Sequence, residues 1–406
     1  MDLADAQQRL GQFLAPLSVE AFLGEALGGG FRLVRHDGRA SRAGLLGADP
    51  QAVLAGAVRL APELTWHSAN ASGPPPSVEG VRDAADFRER IATFHARNYS
   101  VRFPDLRPLS AELDLLARSL ELLIHGPVTA SAFWSRGGMR APVHYDDHDL
   151  IVVQLHGTKR WYVATRPSDL FNTWRGVSGN PPDLGAHQVV DLAPGDLMYL
   201  PRGTFHTVDS DTESVHLAIG FTPLTLREAV IAALDHLSDL NRPLRATVAG
   251  QLEDADLDAL GPAVAEAVGQ LLNAARAPGF VTAALQRRAS REVGDLARLP
   301  RPAQPPALSP DTVLRHADGA FSKLGANADT IDVAYPGGHL YIHRGAQEAV
   351  LFIAETPQFR VRDLPGAFGD DVRLALAGRF VEVGFLEVAT PSASVADLFS
   401  SSPASA

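Results

Sequence analysis

The sequence predicts an α+β protein of several domains, with an all-β sandwich or barrel in the middle of the chain. Three observations lead to this prediction. The chain has 406 residues, whereas a single domain usually has about 150. Short β-rich segments separated by Gly- and Pro-bearing turns lie between Val128 and Phe221, a spacing typical of sandwiches and barrels rather than of βαβ units. Helical patterns precede and follow that region.

The composition is that of a globular protein with an acidic surface. Apolar residues make up 46% of the chain and charged residues 20%, which suffices for ordinary hydrophobic cores. The 36 Lys and Arg against 47 Asp and Glu give a net charge of −11, which excludes nucleic-acid binding through bulk positive charge. An acidic surface instead favours a basic protein or peptide as partner. The chain has no cysteine, which excludes disulfides, thiolate zinc sites and cysteine nucleophiles.

The two ends of the sequence give expectations about the cellular location of the protein and about disorder at its C-terminal end. Residues 1–5 do not open a basic region followed by an apolar one, so we expect no secretory signal. No apolar run approaches the roughly 18 residues that span a bilayer. We therefore expect a cytoplasmic protein without membrane contact. The Ser-rich end, residues 391–406, is expected to be disordered.

Helices are predicted before the β-rich region. Ser18 is suited to cap a short helix that ends at the glycines 28–30. Residues 110–124 carry four leucines at helical spacing, and Ser110 is suited to cap them. We therefore expect a helix to lead directly into the β-rich region.

Five β-rich runs predict the strands of the sandwich or barrel. Each is a short run of apolar and β-branched residues, bounded by turn residues such as those at 156–158 and 193–196. The runs are Ile151–Leu155, Arg160–Val163, Gln188–Val190, Leu197–Leu200 and Val215–Ile219.

Beyond Pro223 the pattern changes twice. Residues 225–240 and 255–293 are rich in Ala and Leu with few helix breakers, which predicts helices with extensive apolar faces. The proline-rich stretch 299–306 predicts an extended boundary. Residues 308–390 are expected to hold one helix and short strands, such as Leu340–Ile342 and Val350–Ile353.

The strongest chemical signal lies directly before the first of the five runs. His144 and Asp146 are two residues apart, so in an extended segment both side chains point to the same side. His206 follows a turn and a β-run further along the chain. Two histidines and a carboxylate with open positions form the facial triad of non-haem Fe(II) oxygenases. His148 has the same parity as His144, so spacing alone leaves open which imidazole binds.

Four segments together resemble the JmjC/cupin-type ribosomal oxygenases, a family of Fe(II)- and 2-oxoglutarate-dependent protein hydroxylases. His144–Leu150 reads His-Tyr-Asp-Asp-His-Asp-Leu, and Gln154–Trp161 reads Gln-Leu-His-Gly-Thr-Lys-Arg-Trp. Gly195–His206 is similar to the second metal motif of that family, and Ser214–Phe221 is similar to the strand that follows it. The resemblance is tight over about residues 130–222.

The resemblance implies an architecture and a set of domains. It implies a double-stranded β-helix, or jelly roll, in a catalytic domain over residues 1–223 with N-terminal helical elements. A helical dimerisation domain over 224–299 and a winged-helix-like domain over 300–390 would follow. Acidic residues outnumber basic ones in 308–390, so we expect no direct nucleic-acid binding there. We expect a homodimer.

The resemblance also implies roles for single residues. His144, Asp146 and His206 would hold Fe(II), and Lys159 would pair with the distal carboxylate of 2-oxoglutarate. Ser135 would assist that carboxylate. Two further residues would shape the pocket or support the metal ligands; they are Tyr145 and His148.

Four other conspicuous residues are expected to be structural. Trp161 is expected in the core or beside the metal ligands, and His216 is expected in the core. Trp134 and Trp174 have either a buried position or a place along a substrate groove.

The function that follows is hydroxylation of an Arg or His side chain in a basic ribosomal protein. The same scaffold could instead serve another peptide, such as a natural-product precursor. A metal-binding cupin that needs no 2-oxoglutarate and a non-catalytic binding protein also stay open. In the first of these, Lys159 would be dispensable. In the second, the triad or the lysine would be broken, and both are present in the sequence.

Overall fold

The computed structural model describes residues 1–27, 29–37, 42–168, 183–247, 260–326 and 328–389. The predicted disordered end at 391–406 and Trp174 lie outside these residues. The chain divides into two compact units, Asp2–Glu228 and Ala229–Ala406. Within the described ranges, every helix is too short or too polar to cross a membrane.

Among its described residues, the first unit contains five α-helices, which share one apolar core with a large sheet. Ser18 and Ser110 cap their helices as predicted, each accepting a hydrogen bond from a backbone N–H three residues on. A longer helix with its own capping box at Asp2, which the sequence did not lead us to expect, precedes the one that Ser18 caps. The helices are α1 (Leu3–Leu14), α2 (Val19–Ala21), α3 (Pro50–Gly56), α4 (Ala84–Ala96) and α5 (Ala111–Ile124).

Eleven strands of the described residues form two antiparallel sheets in this unit. The larger sheet has the order β1-β9-β6-β11-β4-β3-β2 and the smaller one the order β5-β10-β7-β8. The strands are β1 (Arg32–Val34), β2 (Thr65–His67), β3 (Ser100–Phe103), β4 (Val128–Ser135), β5 (Met139–Arg140), β6 (Asp149–His156), β7 (Lys159–Ala164), β8 (His187–Leu192), β9 (Leu197–Leu200), β10 (His206–Ser210) and β11 (Ser214–Phe221). All five predicted runs lie within these strands.

The two sheets face each other in a jelly-roll arrangement. One apolar cluster, which includes Val152, Val163 and Met198, lies between them. A second cluster, which includes Val153 and Leu217, fills the space between the larger sheet and the helices. The central strands β6 and β11 are therefore covered on both faces, which explains why they are almost continuously apolar. Each such side chain contributes about 1.5–3 kcal/mol on burial.

The second unit has its own core and two small antiparallel sheets, ordered β16-β12-β17 and β13-β14-β15. Its helices are α6 (Leu226–Leu240, which begins in the first unit), α7 (Gly261–Ala275), α8 (Phe280–Asp295), α9 (Gln347–Glu355) and α10 (Asp370–Glu382). Its strands are β12 (Val313–His316), β13 (Lys323–Ala326), β14 (Thr330–Tyr335), β15 (Gly338–His343), β16 (Gln358–Arg360) and β17 (Leu386–Val388).

Two predictions for the second unit are wrong. Val350–Ile353 lies in α9 rather than in a strand, and 308–390 holds two helices rather than one. A four-residue apolar run fits a buried strand and a buried helical turn equally well, so periodicity alone does not distinguish them. Here Ala349, Val350 and Ile353 are buried at helical spacing. The predicted helical stretch 255–293 is interrupted, since Gly279 adopts a φ of 80° between α7 and α8.

Candidate metal centre

The two histidines of the predicted triad lie side by side because their backbones pair. The His144 N–H donates to the His206 carbonyl at 3.0 Å, and the His206 N–H donates to the His144 carbonyl at 2.8 Å. This pair is an isolated antiparallel bridge, and opposed residues in such a bridge project to the same face. The ring centroids are 4.3 Å apart. Residues distant in sequence thereby present adjacent imidazoles.

Backbone carbonyls hold both imidazoles in one tautomer. His144 Nδ1 lies 2.8 Å from the Pro142 carbonyl oxygen, and His206 Nδ1 lies 2.9 Å from the Thr204 carbonyl oxygen. A carbonyl only accepts, so each Nδ1 donates and each Nε2 keeps its lone pair. Burial, followed by the neighbouring His144, lowers the pKa of His206 to about 4. A neutral imidazole with a fixed ring is the form that ligates metals.

Asp146 completes the cluster. Its Oδ2 lies 3.6 Å from His206 Nε2, and one ligand atom from each of His144, Asp146 and His206 lies within 4.8 Å of the others. The Asp146 carbonyl accepts a hydrogen bond from the Gly203 N–H at 2.9 Å, which ties the loop before β6 to the turn before β10. Two neutral nitrogens and one carboxylate oxygen on one side fit a divalent iron-type ion with further positions open.

The cluster opens into a cavity of about 270 Å³ between the two sheets. The Asp146 side chain is 27% exposed and is one of the residues that line the cavity. Apolar side chains from both sheets, with Trp161, form much of the wall. The polar described residues that line the cavity besides the triad are His67, Arg102, Thr129, Ser131, His148 and His216.

Lys159, the first residue of β7, crosses from the smaller sheet to the larger one. It is 1% exposed, and its Nζ donates to Ser135 Oγ at 2.9 Å and to His216 Nδ1 at 2.8 Å. Among the described residues, no carboxylate lies within ion-pair distance of this Nζ. Burial lowers the pKa of Lys159 to about 7. A buried cation without a counter-charge, beneath a polar cavity wall, is suited to receive the carboxylate of a ligand.

The structure places Ser135 next to Lys159. Of the other two predicted residues, His148 lines the cavity and Tyr145 does not. Ser135 Oγ also donates to Ser100 Oγ at 2.8 Å, so it is held on both sides. His148 lines the cavity, but its Nδ1 faces Asp147 at 2.8 Å and it is not part of the triad. Gly220 leaves room for the His148 ring, because a Cβ there would lie 2.7 Å from its Cδ2. Tyr145 is buried against Phe205 rather than along the cavity wall.

Trp134, Trp161 and His216 are all buried, and the last two also line the cavity. Trp134 donates to Glu213 Oε1 at 2.9 Å. The burial of Trp161 and His216 agrees with the prediction. The His216 ring stacks on Phe133 at 4.9 Å. Burial, followed by the charge of Lys159, lowers the pKa of His216 well below its ordinary value. A neutral His216 can therefore accept the hydrogen bond from Lys159.

Sequence reasoning did not name four of the polar cavity residues, and two of these, His67 and Arg102, lie outside the predicted β-rich region. They lie on β2 and β3, which extend the larger sheet beyond the barrel and precede the predicted β-rich region. Burial, followed by His144, lowers the pKa of His67 to about 3, so its imidazole is neutral. The alternation of apolar and polar residues around 99–103 could have indicated a strand there. Strands of three and four residues are too short for this alternation to be distinctive.

Comparison with known proteins agrees with the fold and with the motifs. Residues 110–229 match the family model of the JmjC domain. Over 139 residues the chain is 28% identical to ribosomal oxygenase 2 of Mus musculus, a match covering 33% of this chain and 30% of that protein. Over 96 residues it is 38% identical to the bifunctional lysine-specific demethylase and histidyl-hydroxylase NO66 of Drosophila willistoni, covering 22% and 12%. The chain thus matches less than a third of the length of either relative.

A solved structure resembles the chain over nearly its whole length. It is that of YcfD, a ribosomal oxygenase from Escherichia coli, in complex with cobalt and 2-oxoglutarate. The TM-score is 0.53 at 18% identity, over 92% of this chain and 98% of that one. The resemblance to the JmjC-type ribosomal oxygenases is confirmed, and it is carried in sequence by residues 110–229, which match the JmjC domain.

Proposed function

We propose that this chain is an Fe(II)- and 2-oxoglutarate-dependent oxygenase that hydroxylates a side chain of a polypeptide. The observation that carries the proposal is the convergence of His144, Asp146 and His206 on one wall of a cavity. Both imidazoles present an Nε2 lone pair there because carbonyls hold their Nδ1 atoms. Names and bound groups of the relatives support the same activity: one is a histidyl-hydroxylase, and another binds cobalt and 2-oxoglutarate.

Each residue of the centre has a distinct task in this proposal. His144, Asp146 and His206 hold the metal. Bound Fe(II) with 2-oxoglutarate supplies the oxidation of a C–H bond to C–OH by dioxygen, with succinate and carbon dioxide as the other products. The chain contributes a rigid donor set and an apolar wall, including Trp161, which excludes water from the reacting groups.

Lys159 and Ser135 form the proposed seat for the distal carboxylate of 2-oxoglutarate. The ammonium supplies the charge, and the Ser135 hydroxyl, which donates to Ser100 and accepts from Lys159, assists by orienting the ammonium. In the absence of a ligand, the Lys159 ammonium is held by neutral acceptors alone among the described residues. A carboxylate that reaches this ammonium, which lies behind the lining residue His216, therefore gains a buried charge-assisted hydrogen bond.

A ribosomal protein is the proposed substrate, and the cytoplasm is the proposed compartment. The names of the relatives support a ribosomal target, and the net charge of −11 favours encounter with a basic protein. The resemblance implies an arginine or a histidine as the hydroxylated residue. Beyond residue 223 we propose a helical dimerisation domain over 224–299 and a winged-helix-like domain over 300–390 that does not bind nucleic acid.

A cupin that binds metal without 2-oxoglutarate is the second candidate. Both candidates need the triad, and they differ at Lys159. Replacement of Lys159 by Met leaves metal binding intact in both cases, but abolishes 2-oxoglutarate binding only if the oxygenase proposal is right.

The test is succinate release from 2-oxoglutarate by protein loaded anaerobically with Fe(II) and then exposed to air. It is run with and without an extract of ribosomal proteins. We expect turnover to rise with the extract, and mass spectrometry to find a protein heavier by one oxygen atom. His206→Ala should abolish both signals, because it removes a metal ligand. His187→Ala, an exposed histidine of β8, is the matched control and should behave as the unaltered protein.

The outcomes separate the parts of the proposal. Turnover without stimulation by the extract would contradict the ribosomal substrate and retain the oxygenase. Iron binding without any succinate release, with or without extract, would contradict the oxygenase itself.

A further inference from the structure

The cavity has two ends along the larger sheet, and the proposed co-substrate seat lies at one of them. His216 and Gly220 of β11 both line the cavity, and residues four apart in a strand are separated by about 13 Å. The Lys159 ammonium lies at the His216 end, where it also donates to the Phe133 carbonyl of β4 at 3.3 Å. The Gly220 end is therefore available to another group when 2-oxoglutarate is bound.

A histidine outside the metal triad lies at the Gly220 end. His148 lines the cavity, and its Nδ1 lies 2.8 Å from Asp147 Oδ1. A carboxylate only accepts, so Nδ1 donates, and the neutral ring keeps a lone pair on Nε2. Among the residues that the structure describes, none forms a hydrogen bond with this Nε2. His148 thus offers an acceptor to a ligand.

Thr129 of β4 adds a second acceptor at the same place. It pairs with Gly220 across the two strands and lines the cavity. Its hydroxyl donates to the Gly220 carbonyl at 3.4 Å, which leaves the oxygen free to accept. A Cβ on Gly220 would lie 2.8 Å from His148 Nε2 and 2.9 Å from Thr129 Oγ1. Both acceptors therefore border the space that the absent side chain of Gly220 leaves.

An arginine side chain matches two such acceptors better than a histidine side chain. A guanidinium carries five N–H donors in a planar fork and can donate to both acceptors at once, whereas a neutral imidazole carries one N–H donor. The Asp147 carboxylate, which holds the other face of the His148 ring, favours a cation at Nε2.

Arg102 is the cation of the larger sheet that opposes a second guanidinium in the cavity. It donates to Ser131 Oγ at 2.8 Å, and Ser131 pairs with Ala218, two residues before Gly220 on β11. Diagonal neighbours of this kind are about 7–8 Å apart. The Asp146 carboxylate acts on Arg102 and offsets its charge. At that separation the repulsion is weaker than direct hydrogen bonds to two acceptors.

We propose that His148 and Thr129, above Gly220, form the subsite that selects the substrate side chain, and that they bind the guanidinium of an arginine. This inference rests on the proposed oxygenase function and chooses between the arginine and the histidine that the resemblance implies. His148 follows Asp146 of the triad by two residues and is near enough to act on His206 electrostatically. A side chain held at this subsite by its end therefore lies beside the metal cluster. Both residues position the substrate and do not take part in the oxidation.

The test measures binding without turnover. Protein loaded with Zn(II) and 2-oxoglutarate is titrated at pH 8 with peptides acetyl-Ala-Ala-X-Ala-Ala-amide, and binding is followed by saturation-transfer NMR. X is arginine, histidine or norleucine, the last of which has an unbranched side chain without N–H donors. We expect the arginine peptide to bind at least about tenfold more tightly than the other two, as for a charge-assisted hydrogen bond.

Two substitutions remove one acceptor each. Thr129→Val keeps the shape of the side chain without its hydroxyl, and His148→Phe keeps a ring above Gly220 without its Nε2. Each should reduce the preference for arginine severalfold and leave the affinities for the norleucine peptide and for 2-oxoglutarate unchanged. A purely structural role would instead change all three affinities together. Thr129 lies outside the metal-binding loop, so its variant decides the matter even if His148→Phe fails to fold or to bind Zn(II).

Two further variants test the space and control for the substitution. Gly220→Ala places a Cβ between the two acceptors, so it should weaken binding of the arginine peptide and keep the affinity for 2-oxoglutarate at the other end of the cavity. His187→Phe makes the same change as His148→Phe at an exposed histidine of β8, and it should keep the full preference.

The proposal is overturned if the unaltered protein binds the norleucine or the histidine peptide as tightly as the arginine peptide. It is also overturned if Thr129→Val and His148→Phe keep the preference, or if they weaken 2-oxoglutarate alone, since the two residues would then belong to the co-substrate. Failure of the unaltered protein to bind 2-oxoglutarate would contradict the proposed function instead, and the same samples report both.

Discussion

Lys159 is the residue whose chemistry depends most on its surroundings. Its ammonium is fully buried, and the partners around it, among the described residues, are a hydroxyl, an imidazole nitrogen and a carbonyl. Burial lowers its pKa to about 7, well below the usual value for lysine. The proposed carboxylate seat is therefore only half protonated near neutral pH in the absence of a ligand.

The affinity for 2-oxoglutarate should consequently depend on pH. Below pH 7 the seat is already charged, and the affinity should be flat. Above pH 7 binding must take up a proton, so the apparent KM for 2-oxoglutarate should rise about tenfold per pH unit. Steady-state kinetics between pH 6 and pH 9 would measure this. Lys159→Arg, which stays protonated throughout, should give a flat KM, and an equal rise in this variant would refute the assignment.

Replacement of Lys159 by Met should raise the stability of the fold even though it abolishes 2-oxoglutarate binding. In Lys159→Met the stem is kept and the buried charge is removed, so the free energy of unfolding at pH 7 should rise by about 1–4 kcal/mol. The folded-state pKa lies below the unfolded one, so the unfolded chain binds more protons between about pH 7 and pH 10. The stability of the unaltered protein should therefore rise over that window, and its gap to Lys159→Met should shrink.

Urea unfolding at pH 7 and pH 9 would test this. A variant that is less stable than the unaltered protein at both values would mean that the hydrogen bonds of Lys159 outweigh the cost of burying it.

At the scale of elements, the β6–β7 hairpin decides where Lys159 stands. Gly157 turns the chain between the two strands with a φ of 61°, and a Cβ there would collide with the Glu213 carbonyl. Gln154 Nε2 donates to the carbonyls of His156 and Gly157 and closes the turn. Two residues later β7 begins with Lys159, so the geometry of the turn fixes the position of the Lys159 backbone.

Gly157→Ala should therefore damage both stability and co-substrate binding. We expect a loss of about 2 kcal/mol or more, because a positive φ and a backbone collision add together, and a raised KM for 2-oxoglutarate. Gly185→Ala is the matched control: its φ is 65°, but a Cβ there meets nothing within 4 Å. It should lose about 1 kcal/mol and keep its KM. Thermal unfolding and kinetics of both variants would decide, and equal losses would exclude the collision as the cause.

The elements also explain what the sequence could and could not predict. The runs in β6, β9 and β11 were predictable because burial on both faces makes them almost continuously apolar, and those in β7 and β8 were predictable from their β-branched and aromatic residues between turns. The proximity of His144 and His206 could be predicted only from the sequence motifs around them, because hydrophobic periodicity gives no information about which distant segments pair. His67 and Arg102 were missed because β2 and β3 are short and reach the cavity through sheet register. Val350–Ile353 was mistaken because a short apolar run has no period of its own.

On the scale of the whole molecule, α6 and α7 carry an apolar surface that the rest of the described chain leaves exposed. On α7, Val264, Val268 and Leu272 are 58%, 59% and 54% exposed and recur every four residues, which places them on one face. Leu226 and Leu240 of α6 are also well exposed. An exposed apolar face like that of α7 marks an association surface, and this supports the proposed homodimer.

A charge introduced on that face should separate the dimer. In Val268→Glu a carboxylate would have to be buried without a partner, so light scattering after size exclusion should give about half the mass of the unaltered protein at the same concentration. Asn273→Glu is the matched control, because it adds the same charge to α7 on the opposite side and should leave the mass unchanged. The triad belongs to the other compact unit, so metal binding should persist in both variants. Equal masses for Val268→Glu and the unaltered protein would mean that another surface, or no second copy, covers these side chains.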